Sequence, residues 1–222
     1  MRSVNLALAL LATLAIISSD AEAFEAEKPK GRIHYRLDLC GGLQNPSAFH
    51  ALYDDIEMEG LGPALWAYGG ISLWGPSEWA GNLLSVTYMQ DDFSGNLGDG
   101  GGEVGMSTQA IFPAIGGMVS LGGRADFAYV GAKVGWFWVK QSFEGKDVFD
   151  SYSGSTEAFD FFARIIFHRA RGIAFGTEVG YLLADAGRLK SKYLGTEYET
   201  EAKYDFSGLH ATLLVSIGES RR

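Results

Sequence analysis

The clearest hydrophobic pattern in the chain is a strict two-residue alternation over residues 126–141, DFAYVGAKVGWFWVKQ. Every second position from Ala128 to Trp138 is apolar, whereas the other phase carries glycines and the charge of Lys133. Alternation with a period of two predicts a β-strand with one apolar face. An ordinary globular strand has about 5–6 residues, and a strand that crosses a bilayer at a tilt needs ~9–11. The length of this run therefore favours a membrane-crossing strand.

Seven further segments carry a similar alternation, at residues 32–43, 63–74, 79–90, 107–121, 157–168, 173–184 and 206–218. The connections between the eight segments alternate in length: long at 44–62, 91–104, 142–156 and 185–204, and short at 75–78, 122–124 and 169–172. An even number of strands with short periplasmic turns and long outer loops is typical of outer-membrane barrels. We therefore predict an all-β fold, an eight-stranded antiparallel up-and-down transmembrane β-barrel with four longer outer loops.

The charged positions predict which face of each strand points inward. An Arg or Lys that faces lipid at mid-bilayer costs ~2–4 kcal/mol, so the charged phase belongs inside and the apolar phase outside. An eight-stranded barrel has room inside for side chains but not for an aqueous channel, so the inward charges should pair. With a turn at residues 170–172, Arg164 would lie directly opposite Glu178. Lys133 lies on the strand next to Asp160 and Arg164, and Asp160 is its nearest candidate partner. The predicted interior polar network comprises His34, Arg36, Asp38, Lys133, Asp160, Arg164, Glu178 and His210.

Two further features depend on position along the predicted strands. Trp74 and Trp79 fall near the periplasmic rim and Trp136 and Trp138 near the outer rim, so we predict that they form aromatic girdles. Pro113 lies within the fourth segment and cannot donate a hydrogen bond to a neighbouring strand, which predicts a bulge or an unpaired position there.

The first 23 residues, MRSVNLALALLATLAIISSDAEA, have the pattern of a secretory signal peptide. Arg2 precedes an apolar run that is too short to span a membrane as a helix, and small residues precede a cleavage site after Ala23. We therefore predict a signal peptide at residues 1–23 and a barrel domain at residues 24–222. The predicted location is the outer membrane of a Gram-negative bacterium.

Composition restricts the possible partners. The formal net charge is −9, which makes nucleic acid a poor partner for an exported chain. The single cysteine, Cys40, excludes an internal disulfide framework, and its inward phase predicts a buried thiol.

The mature chain resembles the small eight-stranded outer-membrane barrels of the OmpA transmembrane domain, OmpX and OmpW type. The resemblance lies in the signal ending AEA, the hairpins ALWAYGGISLWGPSEWAGNLLSVTY and FDFFARIIFHRARGIAFGTEVGYLL, and the closing strand FSGLHATLLVSIG. Such barrels usually end on an aromatic residue, whereas this chain ends IGESRR. The resemblance implies a monomer that meets outer-membrane lipid, lipopolysaccharide and the barrel-assembly machinery.

Candidate chemistry lies among the histidines and the acidic loops. Some barrels of this size are lipid A acylhydrolases with a Ser–His–acid arrangement, for which His168 or His210 with Ser207 or Ser216 are candidates. Both histidines fall on the predicted inward phase, and neither has a serine two residues later, so we predict no enzyme activity. Two groups of residues contain the oxygen ligands that hard cations prefer. They are His50, Asp54 and Glu57, on a possible helix at 48–59, and Asp91, Asp92, Asp99 and Glu103. Neither group has the spacing of a known metal-binding motif, so we predict neither a metal site nor a cofactor.

The sequence favours a structural or surface-interaction role for a barrel whose interior is closed by polar side chains. The alternative is an OmpW-like conduit for small apolar molecules, which would need a lateral opening in the wall near Pro113. The pattern names no specific ligand.

Overall fold

A computed structural model describes residues 34–46, 64–75, 80–97, 102–121, 128–145, 148–170, 172–193, 196–199 and 203–218. The predicted signal peptide and the possible helix at residues 48–59 lie outside these ranges. The secondary structure of the described residues consists of β-strands. Within the same ranges, no helix is long and apolar enough to cross a membrane.

The strands follow one another as antiparallel neighbours around a closed sheet. In chain order they are β1 (His34–Pro46), β2 (Ala64–Trp74), β3 (Ala80–Leu97), β4 (Gly102–Ser120), β5 (Ala128–Gly145), β6 (Val148–Ala170), β7 (Ile173–Leu183), β8 (Asp185–Gly187), β9 (Lys190–Tyr193), β10 (Thr196–Glu199), β11 (Tyr204–Asp205) and β12 (Gly208–Gly218). The wall consists of β1 to β7 and β12, because β12 pairs with both β7 and β1. The predicted eight-stranded antiparallel barrel is therefore confirmed.

The outward side chains form an apolar belt around the wall. On each barrel strand the outward phase is predominantly aliphatic or aromatic, and the opposite phase is mostly buried. Above the belt, the outward positions become polar, at Gln90 and Asp92 on β3, Gln109 on β4 and Lys140 on β5. The belt includes Leu37, Leu39, Leu43, Leu65, Ile71, Leu84, Val86, Ile111, Ile115, Trp136, Trp138, Ile165, Phe175, Val179, Leu209 and Leu213.

Two outer hairpins are longer than the sequence predicts. The expected loops at residues 91–104 and 142–156 are largely strand, since β3 and β4 pair up to Leu97 opposite Gly102 and β5 and β6 pair up to Gly145 opposite Val148. Composition gave the wrong boundaries because pairing with an already aligned neighbour overrides the weak strand propensity of glycine and aspartate. The barrel strands therefore continue outward as hairpins.

The wall has an irregularity at Pro113, as predicted. The β4–β5 ladder stops at Ile111 opposite Trp138 and resumes at Ala114 opposite Gly135, whereas the β3–β4 ladder continues through Pro113. A Cβ atom on Gly135 would lie 2.0 Å from the Pro113 carbonyl oxygen. β4 and β5 can approach this closely only because residue 135 has no side chain.

Arg164 lies directly opposite Glu178, as predicted, although the turn differs from the expected one. Ala170 pairs with Ile173, so the turn is tighter than predicted, and Gly172 adopts a φ of 84° within it. A bulge between Ile166 and His168 then restores the predicted register. The same bulge leaves His168 exposed, so its predicted inward orientation is wrong.

Candidate functional site

The interior of the barrel consists of three layers of side chains. An apolar cluster fills the end of the barrel that carries the long hairpins, a second apolar cluster fills the end with the short turns, and charged side chains lie between them. On β5 this order is visible in one strand, where buried Lys133 stands between Tyr129 of the lower cluster and Phe137 of the upper cluster. We call the middle layer the charged layer; it comprises Asp38, Lys133, Asp160, Arg164, Glu178 and His210.

Arg164 connects several strands of the barrel. Its Nη1 lies 2.8 Å from Asp38 Oδ2, while Nε and Nη2 donate to Glu178 Oε2 at 3.1 and 2.9 Å. Nη2 also donates to the hydroxyl of Tyr68, which itself donates to Glu178 Oε2 at 2.9 Å. The guanidinium fork therefore ties β6 to β1, β2 and β7, and charge-assisted bonds of this kind are about twice as strong as neutral ones.

Lys133 and His210 converge on the carboxylate of Asp160. Lys133 Nζ lies 2.7 Å from Asp160 Oδ2 and 3.5 Å from Glu178 Oε1. His210 Nε2 lies 2.8 Å from the other oxygen, Oδ1. The ammonium group also lies 4.4 Å from the ring centroid of Tyr68, within the range of a cation–π interaction.

The charges of this layer depend on one another. Three carboxylates face two permanent cations and one histidine, and all six side chains are at most 3% exposed. Removal of each ion from water costs several kcal/mol, which mutual attraction offsets only when the geometry is good and the remaining polar atoms are bonded. The arrangement therefore closes the lumen and leaves each charged group dependent on its partners.

Six of the eight predicted network residues meet in the charged layer. Arg36 lies apart from it, with Nη1 3.5 Å from the hydroxyl of Tyr129 and its guanidinium 5.0 Å from the ring of Trp74. The side chain of His34 lies outside the described residues. Cys40 is buried, as predicted.

Sequence reasoning missed several side chains that complete the layer. Besides Tyr68, Ser72 donates to Asp38 Oδ2 at 3.4 Å, and the ring of Trp66 stacks on His210 at 4.6 Å between centroids. Gly180 provides space for the His210 ring, because a Cβ atom there would lie 2.4 Å from Nε2. The alternation of β2 could have predicted three of these side chains. Trp66, Tyr68 and Ser72 share one face of the strand, and the leucines and the isoleucine of the other face point outward.

The tryptophans of the predicted aromatic girdles differ in orientation between β5 and β2. Trp136 and Trp138 lie on the outward face of β5, as expected, and are 44% and 49% exposed. Trp79 lies outside the described residues. The prediction for Trp74 is wrong: it is 1% exposed and its Nε1 donates to Ser72 Oγ at 3.0 Å. Trp74 shares the inward phase of Ser72, and strand phase determines its orientation whatever its height in the membrane.

The candidate catalytic and metal-binding side chains that the structure describes do not come together; His50, Asp54, Glu57, Asp99 and the side chain of Glu103 lie outside the described part of the chain. His210 is enclosed in the charged layer, and Ser207 Oγ accepts a hydrogen bond from the Ala184 backbone N–H at 3.0 Å. Asp91 is buried whereas the adjacent Asp92 is exposed, because successive residues of a strand point to opposite faces. Among the described residues, no group of three or more His, Cys, Asp or Glu side chains could hold a metal ion.

Asp91 lies just above the apolar belt, and burial together with the nearby charge of Asp92 raises its pKa from 3.8 to about 7. Because the folded-state pKa is raised, the ionised carboxylate destabilises the fold, so stability should rise as the pH falls from 7 toward 4. We expect Asp91→Asn to remove this part of the pH dependence. The check is the free energy of unfolding of both proteins between pH 4 and pH 8. If the free energy of unfolding changed equally with pH in the wild type and in Asp91→Asn, the prediction would be contradicted. Asp92→Asn should lower the pKa of Asp91, because it removes the nearby negative charge.

Comparison with known proteins identifies the class of fold. No family model matches the sequence, and no curated protein matches it. The solved structure of a major outer membrane protein from Thermus thermophilus aligns with 84% of this chain and 98% of its own, at a TM-score of 0.57 and 8% identity. The fold is that of the outer-membrane β-barrels.

Two other solved structures align at lower scores. Ail, the attachment invasion locus protein of Yersinia pestis, solved with the heparin analogue sucrose octasulfate, covers 84% of this chain and 96% of its own, with a TM-score of 0.48 and 9% identity. The outer membrane protease OmpT from Escherichia coli covers 86% and 96%, with a TM-score of 0.40 and 10% identity. At these identities the likeness concerns the fold alone.

Proposed function

We propose that this protein is an integral outer-membrane barrel with a closed lumen that presents a projecting β-sheet to partners outside the membrane. The apolar belt supports the membrane placement, because soluble monomers rarely expose a contiguous apolar surface of this extent. The signal-peptide pattern supports export to the outer membrane. Lipopolysaccharide and the barrel-assembly machinery are the partners that this placement implies, and the proposal contains no catalytic step.

The observation that carries the interaction role is the continuation of β3 to β6 beyond the belt. Backbone pairing joins all four strands in this region, with Leu97 opposite Gly102, Val104 opposite Gly145, and Gly145 opposite Val148. At ~3.4 Å per residue, the part of β3 that follows Gln90 and ends at Leu97 is roughly 24 Å long. A barrel that served only to span the bilayer would not need this extension.

The projecting sheet offers an edge to a partner. The β2–β3 ladder ends at Leu65 opposite Gln90, so within the described ranges residues 91–97 of β3 pair with β4 alone. Unpaired N–H and C=O groups along such an edge are a template for an added strand. We infer that a partner binds by β-strand addition to this edge.

The test is a variant in which residues 93–106 are replaced by Asn-Gly, the preferred two-residue turn. This change removes the projecting part of β3 and β4 and retains Asp92 opposite Ser107. Cells that display the full chain are expected to attach to immobilised matrix protein more than cells lacking it, and the shortened variant should lose this gain. Equal attachment by both forms would contradict the proposal. A control gel must show that the unheated shortened barrel still migrates as a folded barrel.

The interrupted β4–β5 ladder supports a second candidate, a conduit for small apolar molecules. The irregularity at Pro113 is where a lateral opening would form, but Phe112 and Phe137 pack behind it, with ring centroids 6.5 Å apart and both side chains buried. We therefore place the conduit second. Folded protein in planar bilayers should conduct no current under the first proposal, and steady conductance would favour the second.

A further inference from the structure

A cleft of about 420 Å³ opens in the outer part of the wall, beside β6. It exists because β7 ends at Leu183, opposite Phe159 of β6, and pairing with β6 resumes only at Lys190, opposite Ser153. The chain between these two points leaves a gap along β6. This volume lies within the ~300–1,000 Å³ that small-molecule sites occupy.

The polar groups of the cleft favour an anion. Arg188 and Lys190 line it together with the hydroxyls of Ser153 and Ser155. Lys140, which lies opposite Ser153 in the β5–β6 ladder and is exposed, adds a third nearby cation.

Several described carboxylates lie near these cations. Glu199 Oε1 lies 3.4 Å from Lys190 Nζ, but both side chains are about half exposed, and such pairs contribute little. Glu157 lies on the same outward phase of β6, two residues from Ser155. Asp185 is also exposed, three residues before Arg188, and lies opposite the exposed Asp205. These acidic groups stand around the cleft, whereas its lining among the described residues holds Arg188 and Lys190 and no carboxylate.

The position of the cleft relative to the apolar belt determines which molecules can reach it. Trp138 lines the cleft and is the last apolar outward residue of β5 before Lys140. Its partner on β4, Ile111, is likewise the last apolar outward residue before Gln109. The cleft therefore lies immediately above the apolar belt, where the proposed membrane placement puts lipid headgroups.

We propose that the cleft formed by Trp138, Ser153, Ser155, Arg188 and Lys190 binds a phosphate-bearing sugar. The guanidinium of Arg188 matches the geometry of a phosphate, which it can bind through two parallel hydrogen bonds. The serine hydroxyls can bind sugar or phosphate oxygens, and the Trp138 ring offers an apolar face for the sugar. The source is either the headgroup of a phosphorylated glycolipid, which rests on the proposed membrane placement, or a free sugar phosphate.

The test is calorimetric titration of the full chain in detergent micelles. The probes are glucose 1-phosphate, glucose, purified lipopolysaccharide and lipopolysaccharide from which the phosphates have been removed. We expect the phosphorylated probes to bind more tightly than their unphosphorylated counterparts. Arg188→Gln should weaken this binding about tenfold, the effect expected when one charge-assisted contact is lost.

Two further variants make the result specific. Arg36→Gln removes the same charge at the opposite end of the barrel, where Arg36 lies beside Tyr129 and Trp74, and should leave binding unchanged. Ser155→Phe keeps every charge but fills the cleft, and should abolish binding. Equal weakening by Arg188→Gln and Arg36→Gln, or equal affinity for phosphorylated and unphosphorylated probes, would overturn the proposal.

The probes also separate the two sources. Binding of lipopolysaccharide that depends on its phosphates and on Arg188 supports the headgroup, and binding of glucose 1-phosphate alone supports the soluble source. The micelle titration does not involve the β3 edge, and the attachment test does not involve Arg188. Failure of one proposal is therefore distinguishable from failure of the other.

Discussion

Replacing Arg164 with methionine is expected to lower the free energy of unfolding by about 3–5 kcal/mol, the usual cost of removing one partner from a buried ion pair. Methionine retains an unbranched side chain but no donor. Asp38 would lose its 2.8 Å contact and Glu178 would lose two donated hydrogen bonds. Since both carboxylates are 0% exposed, no water replaces the guanidinium without a rearrangement of the interior.

Urea unfolding in lipid vesicles, followed by tryptophan fluorescence, measures this loss. The matched control is Lys203→Met, which removes a charge from an exposed position and should change stability by no more than about 0.5 kcal/mol. Arg164→Lys should fall between the two, because lysine keeps the charge but lacks the planar fork. Equal stability of the two methionine variants would contradict the burial of the charged layer.

The residues of the charged layer could be predicted because charge gives an unambiguous choice between lipid and lumen. Lys133 and Arg164 each lie in a strand whose other phase is apolar, so alternation alone placed them inward. The predicted register of the β6–β7 hairpin placed Glu178 opposite Arg164, and Asp160 was the nearest acidic residue on the strand next to Lys133. Tyr68 was missed because β2 carries no charge to test its phase. Trp74 was misplaced because its height at the end of β2 suggested a rim position, whereas its phase puts it inside.

Other features depend on contacts between distant parts of the chain. The stacking of Trp66 on His210 requires closure of β12 onto β1, and Gly180 acquires its role only once that histidine lies against it. The length of the β3–β4 hairpin depends on pairing, which composition does not report. The cleft at Arg188 depends on where β7 leaves β6. Local pattern predicted the wall, but not the contacts that closure creates.

Replacing Leu213 with arginine is expected to destabilise the protein by about 2–4 kcal/mol, the cost of a cation facing lipid at mid-bilayer. Leu213 is 70% exposed and stands midway along the outward phase of β12, between Leu209 and Ile217. On a water-exposed surface the same change would fall within about 0.5 kcal/mol. The result therefore distinguishes a lipid-facing belt from a solvated one without reference to any function.

The measurement is the free energy of unfolding in vesicles, together with the fraction of protein that reaches the folded, SDS-resistant form. Gln109→Arg is the matched control, because Gln109 is also outward and exposed but lies above the belt, next to Ile111. Arginine there meets water and headgroups, so the variant should fold like the wild type. Leu213→Ala separates the loss of the leucine side chain from the added charge and should cost less than Leu213→Arg. Equal stability of the two arginine variants would mean that the belt does not face lipid.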